Sequence, residues 1–232
     1  MYSLIRFFEK EKYLNDFLDG HLYMNSIGHF WTLGQPNPQD DLFEGVFETM
    51  SATELDGKYG SDLIGTFGSH ILLPVMNRLD GFQFVHILCF YMHEYDPELK
   101  QVTRIPKEIK GFGNYAIRIK DMQPFVDLLF EKIVRERLYG LMGPVSYRNP
   151  TDEIEYMDCF DKNITHQYEN EWRFALIPDF EEAKEMAEEQ RQYNSNLKPG
   201  ELPKVYDSAV YFDVGDLRDV YGKSDEKYSG CC

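Results

Sequence analysis

Residues 82–92, Phe-Gln-Phe-Val-His-Ile-Leu-Cys-Phe-Tyr-Met, constrain the fold more than any other part of the chain. The run is aromatic, aliphatic and β-branched almost without interruption. A strand with one wet face alternates apolar and polar residues, whereas a strand covered on both faces need not. The run therefore predicts a central buried strand, and the sheet around it must carry material on each side.

The flanking segments supply that material. Residues 2–8 are β-prone. Residues 9–18 place Tyr13, Leu14, Phe17 and Leu18 at helical spacing, with Gly20 as a helix stop. Residues 21–25 return to strand, and Ser26 is placed to cap a short helical turn. Residues 34–41 are a loop by composition, and a Gly-rich stretch without clear period continues to about residue 80. Residues 114–120 alternate as a strand does. Asp121 caps a helix that carries Phe125, Leu128, Leu129, Ile133 and Leu138 along one face. Further strands are expected at 144–147 and 166–177, a charged helix at about 180–193, and a last strand within 205–214. Strands and helices do not alternate regularly, which argues against a doubly wound parallel sheet. The expectation is an α+β fold of mixed, mostly antiparallel sheets with helices packed on them. No internal repeat and no linker-like stretch divides the chain, so a single domain over residues 1–232 is expected. A unit of this size buries roughly 70–75% of its unfolded surface and needs no disulfide or metal to hold it.

Charge narrows the partners. Forty acidic side chains against 24 basic ones leave a net charge of -16. Such a surface repels phosphate backbones, so non-specific nucleic-acid binding is not expected; the charge can serve solubility alone, or it can dock a protein partner with a basic surface. The densest acidic run, residues 181–189, reads as the solvated face of a helix. Four cysteines are too few and too badly spaced for a disulfide framework. Cys89 and Cys159 sit in apolar or aromatic runs and read as packed thiols. The closing pair Cys231-Cys232 lacks the form of a prenylation signal and reads as an exposed end. With no charged-then-apolar leader and no apolar run near 18 residues, the expected location is cytoplasmic, with no membrane span.

The familiar catalytic strings are absent: there is no phosphate-binding G-x-x-x-x-G-K-[ST], no H-E-x-x-H, no C-x-x-C and no G-x-S-x-G. The six histidines are dispersed, so no metal site is expected. Three islands remain. They are Arg6 with Leu22-Tyr23-Met24-Asn25-Ser26, Asp40-Asp41-Leu42-Phe43-Glu44-Gly45, and Gln167-Tyr168-Glu169-Asn170-Glu171-Trp172-Arg173. If the last is a strand, Glu169 and Glu171 share a face with Gln167 and Arg173, and Tyr168 and Trp172 turn to the core. Two neighbouring carboxylates repel, which predicts a raised pKa for one of them and suits acid/base or cation-stabilising work.

Taken in order with Leu88-Cys89-Phe90, the islands resemble a widespread uncharacterised family of bacterial and phage proteins that share an LY-x-N-S/T strand, a D-x-F-E-G turn and a late EWR strand. Asp40 stands where such proteins often carry Asn or Gly. The E-x-E pair, with a first-strand Arg, is also distantly similar to the active site of ADP-ribosyltransferases. That resemblance implies NAD as substrate and transfer of ADP-ribose to a protein or nucleic-acid acceptor. It makes Glu171 the catalytic carboxylate, Glu169 the acceptor-activating one and Arg6 the NAD anchor, with Tyr23, Asn25 and Ser26 as further NAD contacts. The Ser-Thr-Ser triplet of those enzymes is missing here. Other readings stand beside this one. Glu171 can form a structural ion pair with Arg173 or Arg6. Asp41 and Glu44 can bond backbone amides of a turn or make a second carboxylate site. The whole chain can also be a non-catalytic acidic binding protein of phage–host conflict, an inhibitor or a nucleotide-sensing module.

Overall fold

A computed structural model describes residues 2–32, 46–50, 75–78, 80–96, 101–102, 105–149, 158–198 and 205–218. In chain order these form strand β1 (Tyr2–Phe8), helix α1 (Glu11–Leu18), β2 (His21–Ser26), α2 (Ile27–Thr32), β3 (Val46–Met50) and β4 (Val75–Arg78). A 3-10 turn (Asp80–Phe84) leads into β5 (His86–Asp96), β6 (Gln101–Val102), α3 (Lys107–Lys110), β7 (Tyr115–Ile119) and α4 (Met122–Glu136). Next come β8 (Tyr139–Pro144), β9 (Ser146–Arg148), β10 (Asp161–Asn163), a second 3-10 turn (Ile164–Glu169), β11 (Glu171–Ile177), α5 (Phe180–Ser195) and β12 (Ala209–Asp213). The fold is α+β, and every described strand pairing except β9 with β10 is antiparallel.

The apolar run does become the centre of the main sheet. One edge of β5 pairs with β11 from His86 to Tyr91, and β8 follows beyond β11. The opposite edge is shared. Its first residues, His86 and Ile87, pair with β2, while Tyr91 to Glu94 pair with β1. β12 continues the sheet beyond β2, and β7 continues it beyond β1. The sheet is thus forked: two arms leave one edge of β5, and residues 88–90 lie between them.

Both faces of β5 are covered, as its composition requires. Leu88 and Phe90 join Leu4, Leu22, Met24, Trp172 and Phe174 in the largest core, which α1 closes with Phe17 and α4 with Phe125, Leu129 and Ile133. Burying side chains of this size contributes about 2–3 kcal/mol each before entropy is counted. Ile87 faces the other way into a smaller cluster with Ile27, Val85, Cys159 and Ala175, and Tyr91 into a third with Ile5, Ile109 and Ala116. The fork opens between these two smaller clusters.

Several boundaries differ from the sequence-based expectation. The strand starts at His86, because residues 80–84 coil into a 3-10 turn whose Gln83 is buried and accepts from the Tyr206 amide at 3.0 Å. Leu138 is not on the face of α4. Arg137 takes a left-handed conformation (φ 57°) that ends the helix, and Leu138 is 39% exposed at the entrance to β8. The 166–177 strand begins only at Glu171, and its first part is helical. The acidic helix is as expected: Asp179 caps α5 by accepting from the Glu182 amide at 2.9 Å, and no residue of the helix is buried. Gly20 is required by geometry, since its φ is +88° and a β-carbon there would lie 1.9 Å from the Gly215 carbonyl oxygen. The 34–41 loop, the Asp40–Gly45 turn and Cys231-Cys232 lie outside the described residues. Among the described residues no helix is long and apolar enough to cross a membrane.

Candidate functional site

The fork creates a local problem for the backbone. Between its two arms no described strand donates to the Cys89 carbonyl, and a buried carbonyl left alone is costly. Arg6 solves it. The Arg6 side chain leaves β1, and Nη1 donates to the Cys89 carbonyl at 2.8 Å while Nη2 reaches the Tyr23 carbonyl at 3.4 Å. Its guanidinium therefore bridges β5 and β2, and it lies over the Phe8 and Phe90 rings at 5.6 and 5.8 Å. Burial pulls its pKa down to about 10, which still leaves it cationic at neutral pH. Its Nε is buried and has no hydrogen-bond partner among the described residues.

A cavity of about 150 Å³ occupies the fork. The β2 arm contributes Tyr23 and Asn25, with Phe30 of α2 beside them; the β1 arm contributes Arg6 and Phe7, with Phe112 beyond α3. Cys89 of β5 lines the middle, and Glu169, Glu171, Arg173 and Lys162 form the charged wall. Five of the six residues singled out from sequence, Arg6, Tyr23, Asn25, Glu169 and Glu171, thus line one cavity. Ser26 does not. It is fully buried, and its hydroxyl donates to the Tyr206 carbonyl and accepts from the His29 and Ser208 amides, so it caps α2 and ties down the approach to β12.

The glutamates are not arranged as a strand pair. Glu169 closes the 3-10 turn, and Asn170 then adopts a left-handed conformation (φ 36°) before β11 begins. Asn is among the few residues that visit this region readily. Asn170 is pinned to β5: its side-chain amide donates to the Met92 carbonyl at 2.6 Å, and its own carbonyl accepts from the Met92 amide at 2.7 Å. The turn brings Glu169 alongside Glu171 but on a different element. Of the aromatic pair, Trp172 does face the main core, whereas Tyr168 packs beside the third cluster.

Between the two carboxylates lies a cation that the sequence reading passed over. Lys162 of β10 is 8% exposed, and its Nζ donates to Glu169 Oε2 at 2.6 Å and to Glu171 Oε2 at 3.4 Å. Arg173 is fully buried; its Nε donates to Glu171 Oε1 at 2.7 Å and its Nη1 to the Cys159 carbonyl. His166 Nδ1 lies 2.9 Å from Glu169 Oε1. At Glu171 the two cations outweigh the neighbouring carboxylate. Burial alone raises the pKa of Glu171, but Arg173 and then Lys162 outweigh it and hold the carboxyl well below the usual range. Glu171 also receives the Cys89 thiol, whose own pKa burial and the nearby carboxylate push well up. The Glu171 backbone amide donates to the Tyr147 hydroxyl at 2.7 Å.

No alternation or motif marks Lys162; a lone Lys in Asp-Lys-Asn reads as solvated. Only the parallel pairing of β10 with β9, which sets Lys162 against Tyr147, carries it inward. The resulting site couples a fixed, ionised carboxylate to a cation across an aromatic-walled cleft. That arrangement suits a ligand that bears negative charge at one end and develops positive charge at the other. No family model, curated protein or solved structure matches the chain.

Proposed function

We propose that the protein binds NAD in the fork of its sheet and acts as an ADP-ribosyltransferase or NAD glycohydrolase, with Glu171 as its catalytic carboxylate. The observation that carries this reading is convergence: residues from β1, β2, the 3-10 turn and β11, far apart in sequence, line the same cavity. The chemistry is consistent with it. Cleavage of the nicotinamide–ribose bond builds positive charge on the ribose, and a carboxylate held ionised at neutral pH stabilises that charge. Glu171 retains lone pairs to accept a ribose hydroxyl. The flat walls offered by Tyr23, Phe30 and Phe112 suit an aromatic ring, and the Arg6 charge suits a phosphate.

A second reading, nucleotide binding without turnover, is favoured by one feature. Arg173 and Lys162 engage both oxygens of Glu171. One experiment separates the two. NAD binding is measured by calorimetry, and nicotinamide release by chromatography, for the wild-type protein and Glu171→Gln. Catalysis predicts release that falls by about 10³-fold in the variant, while binding persists. Binding without release selects the sensing module. A wild-type protein that neither binds nor cleaves NAD, with protein and nucleic-acid acceptors supplied, refutes both.

A further inference from the structure

We propose that Lys162 is the positioning residue of this site: a single buried ammonium shared by Glu169 and Glu171, which aims Glu171 into the fork and makes Glu169 its support rather than a base for the acceptor. The inference rests on the reading of Glu171 as the catalytic carboxylate. Its ground is geometric. Lys162 comes from β10, an element outside the main sheet, and is carried to within 2.6 and 3.4 Å of the two glutamates. A buried cation with two carboxylates at hand fixes the rotamers of both, because no solvent stands ready to replace either contact. Glu169 is then engaged at each oxygen, by Lys162 at one and by His166 at the other. A carboxylate so held is poorly placed to take a proton from an acceptor, which reassigns the role that the E-x-E resemblance implied. Glu171 is also held at both oxygens, by Arg173 and Lys162, but the role assigned to it asks for a fixed negative charge facing the cavity and not for uptake of a proton.

Among the described residues, the groups that face Glu171 are Arg173 on its own strand, Cys89 of β5, Lys162 of β10 and Tyr147 of β9. Glu169, with His166, stands beyond Lys162, and Arg6 lines the opposite side of the cavity. Arg173 remains whatever is done to Lys162, so removing the lysine tests its share alone.

The test follows the Glu171 carboxyl directly, by carbon-13 NMR of protein labelled at the glutamate carboxyl carbon, with the resonance assigned through Glu171→Gln. Four variants are compared: Lys162→Met, Lys162→Arg, Glu169→Gln, and Lys162→Met combined with Glu169→Gln. The double variant removes one charge of each sign and so guards against a fold lost to an unpaired glutamate, and Glu169→Gln is its reference, because loss of the Glu169 charge by itself lowers the Glu171 midpoint. The Glu171 midpoint is expected to rise by roughly 1–3 pH units in Lys162→Met relative to wild type and in the double variant relative to Glu169→Gln, and to return in Lys162→Arg. Nicotinamide release from NAD should then acquire an acid limb that moves with that midpoint, activity being lost as pH falls through it. An equal Glu171 midpoint in Glu169→Gln and the double variant overturns the inference. A wild-type protein that releases no nicotinamide sinks the NAD reading instead, and the NMR titration still decides what Lys162 does to Glu171.

Discussion

Glu171→Gln tests the charged wall as a structural element, independently of any ligand. In the folded protein the carboxylate is 4% exposed and faces Arg173 and Lys162, themselves buried. Breaking a buried ion pair by removing one partner costs about 3–5 kcal/mol, because the cation left behind is uncompensated. Three features moderate that here. Glutamine keeps an oxygen to accept from Arg173 Nε, Arg173 still donates to the Cys159 carbonyl, and Lys162 still has Glu169. The expected loss is therefore about 2–3 kcal/mol at pH 7, within the usual 5–15 kcal/mol of a folded domain, so the variant stays folded. With a urea dependence of about 2–3 kcal/mol per molar, the midpoint should fall by about 1 M. The pH dependence fixes the mechanism. The Glu171 pKa is lower in the folded than in the unfolded state, so its contribution is complete above the ordinary carboxylate range and fades as pH falls below it. The gap between wild type and variant must then narrow on acidification. Urea titrations monitored by tryptophan fluorescence at several pH values decide it. Equal stability at pH 7, or a gap that widens toward acid, refutes the reasoning.

Three further outcomes are expected. Arg6→Met leaves the Cys89 and Tyr23 carbonyls without their donor, which costs about 1–2 kcal/mol in denaturant titration. It should also weaken NAD at least about tenfold by calorimetry, with Arg6→Lys only partly restoring it, since an ammonium does not span both carbonyls; unchanged affinity in Arg6→Met removes Arg6 from the site. Cys89 should alkylate slowly at pH 8, because burial and the adjacent carboxylate raise its thiol pKa, and faster in Glu171→Gln. Peptide-resolved mass spectrometry that finds equal rates contradicts the thiol–carboxylate contact. Gly20→Ala meets both a left-handed backbone and the Gly215 carbonyl, so a loss of about 2–4 kcal/mol, or about 5–10 °C in Tm, is expected by calorimetry. A smaller loss shows that the turn and residue 215 move apart freely.

Local pattern determined a good deal of this protein. The apolar run at the centre, the helical spacing of α1 and α4, the caps at Ser26, Asp121 and Asp179 and the solvated acidic helix are each set by neighbours a few residues away. Arg6, Tyr23, Asn25, Glu169 and Glu171, which line the cavity, were singled out by the E-x-E string and the family resemblance and not by local periodicity. Their joint placement was not legible. It depends on the fork, and the fork depends on which residues of β5 meet β1 and which meet β2, a register that no short window of sequence contains. The break between Glu169 and Glu171 was missed because Asn170 turns left-handed only once it is clamped to Met92, seventy-eight positions away. Lys162 was missed because its charge is paired only after β10 docks. Local order follows from the chain's own periodicity; the sign and neighbours of a buried charge follow from packing, and for Glu171 packing against Arg173 and Lys162 lowers the pKa where burial alone would raise it.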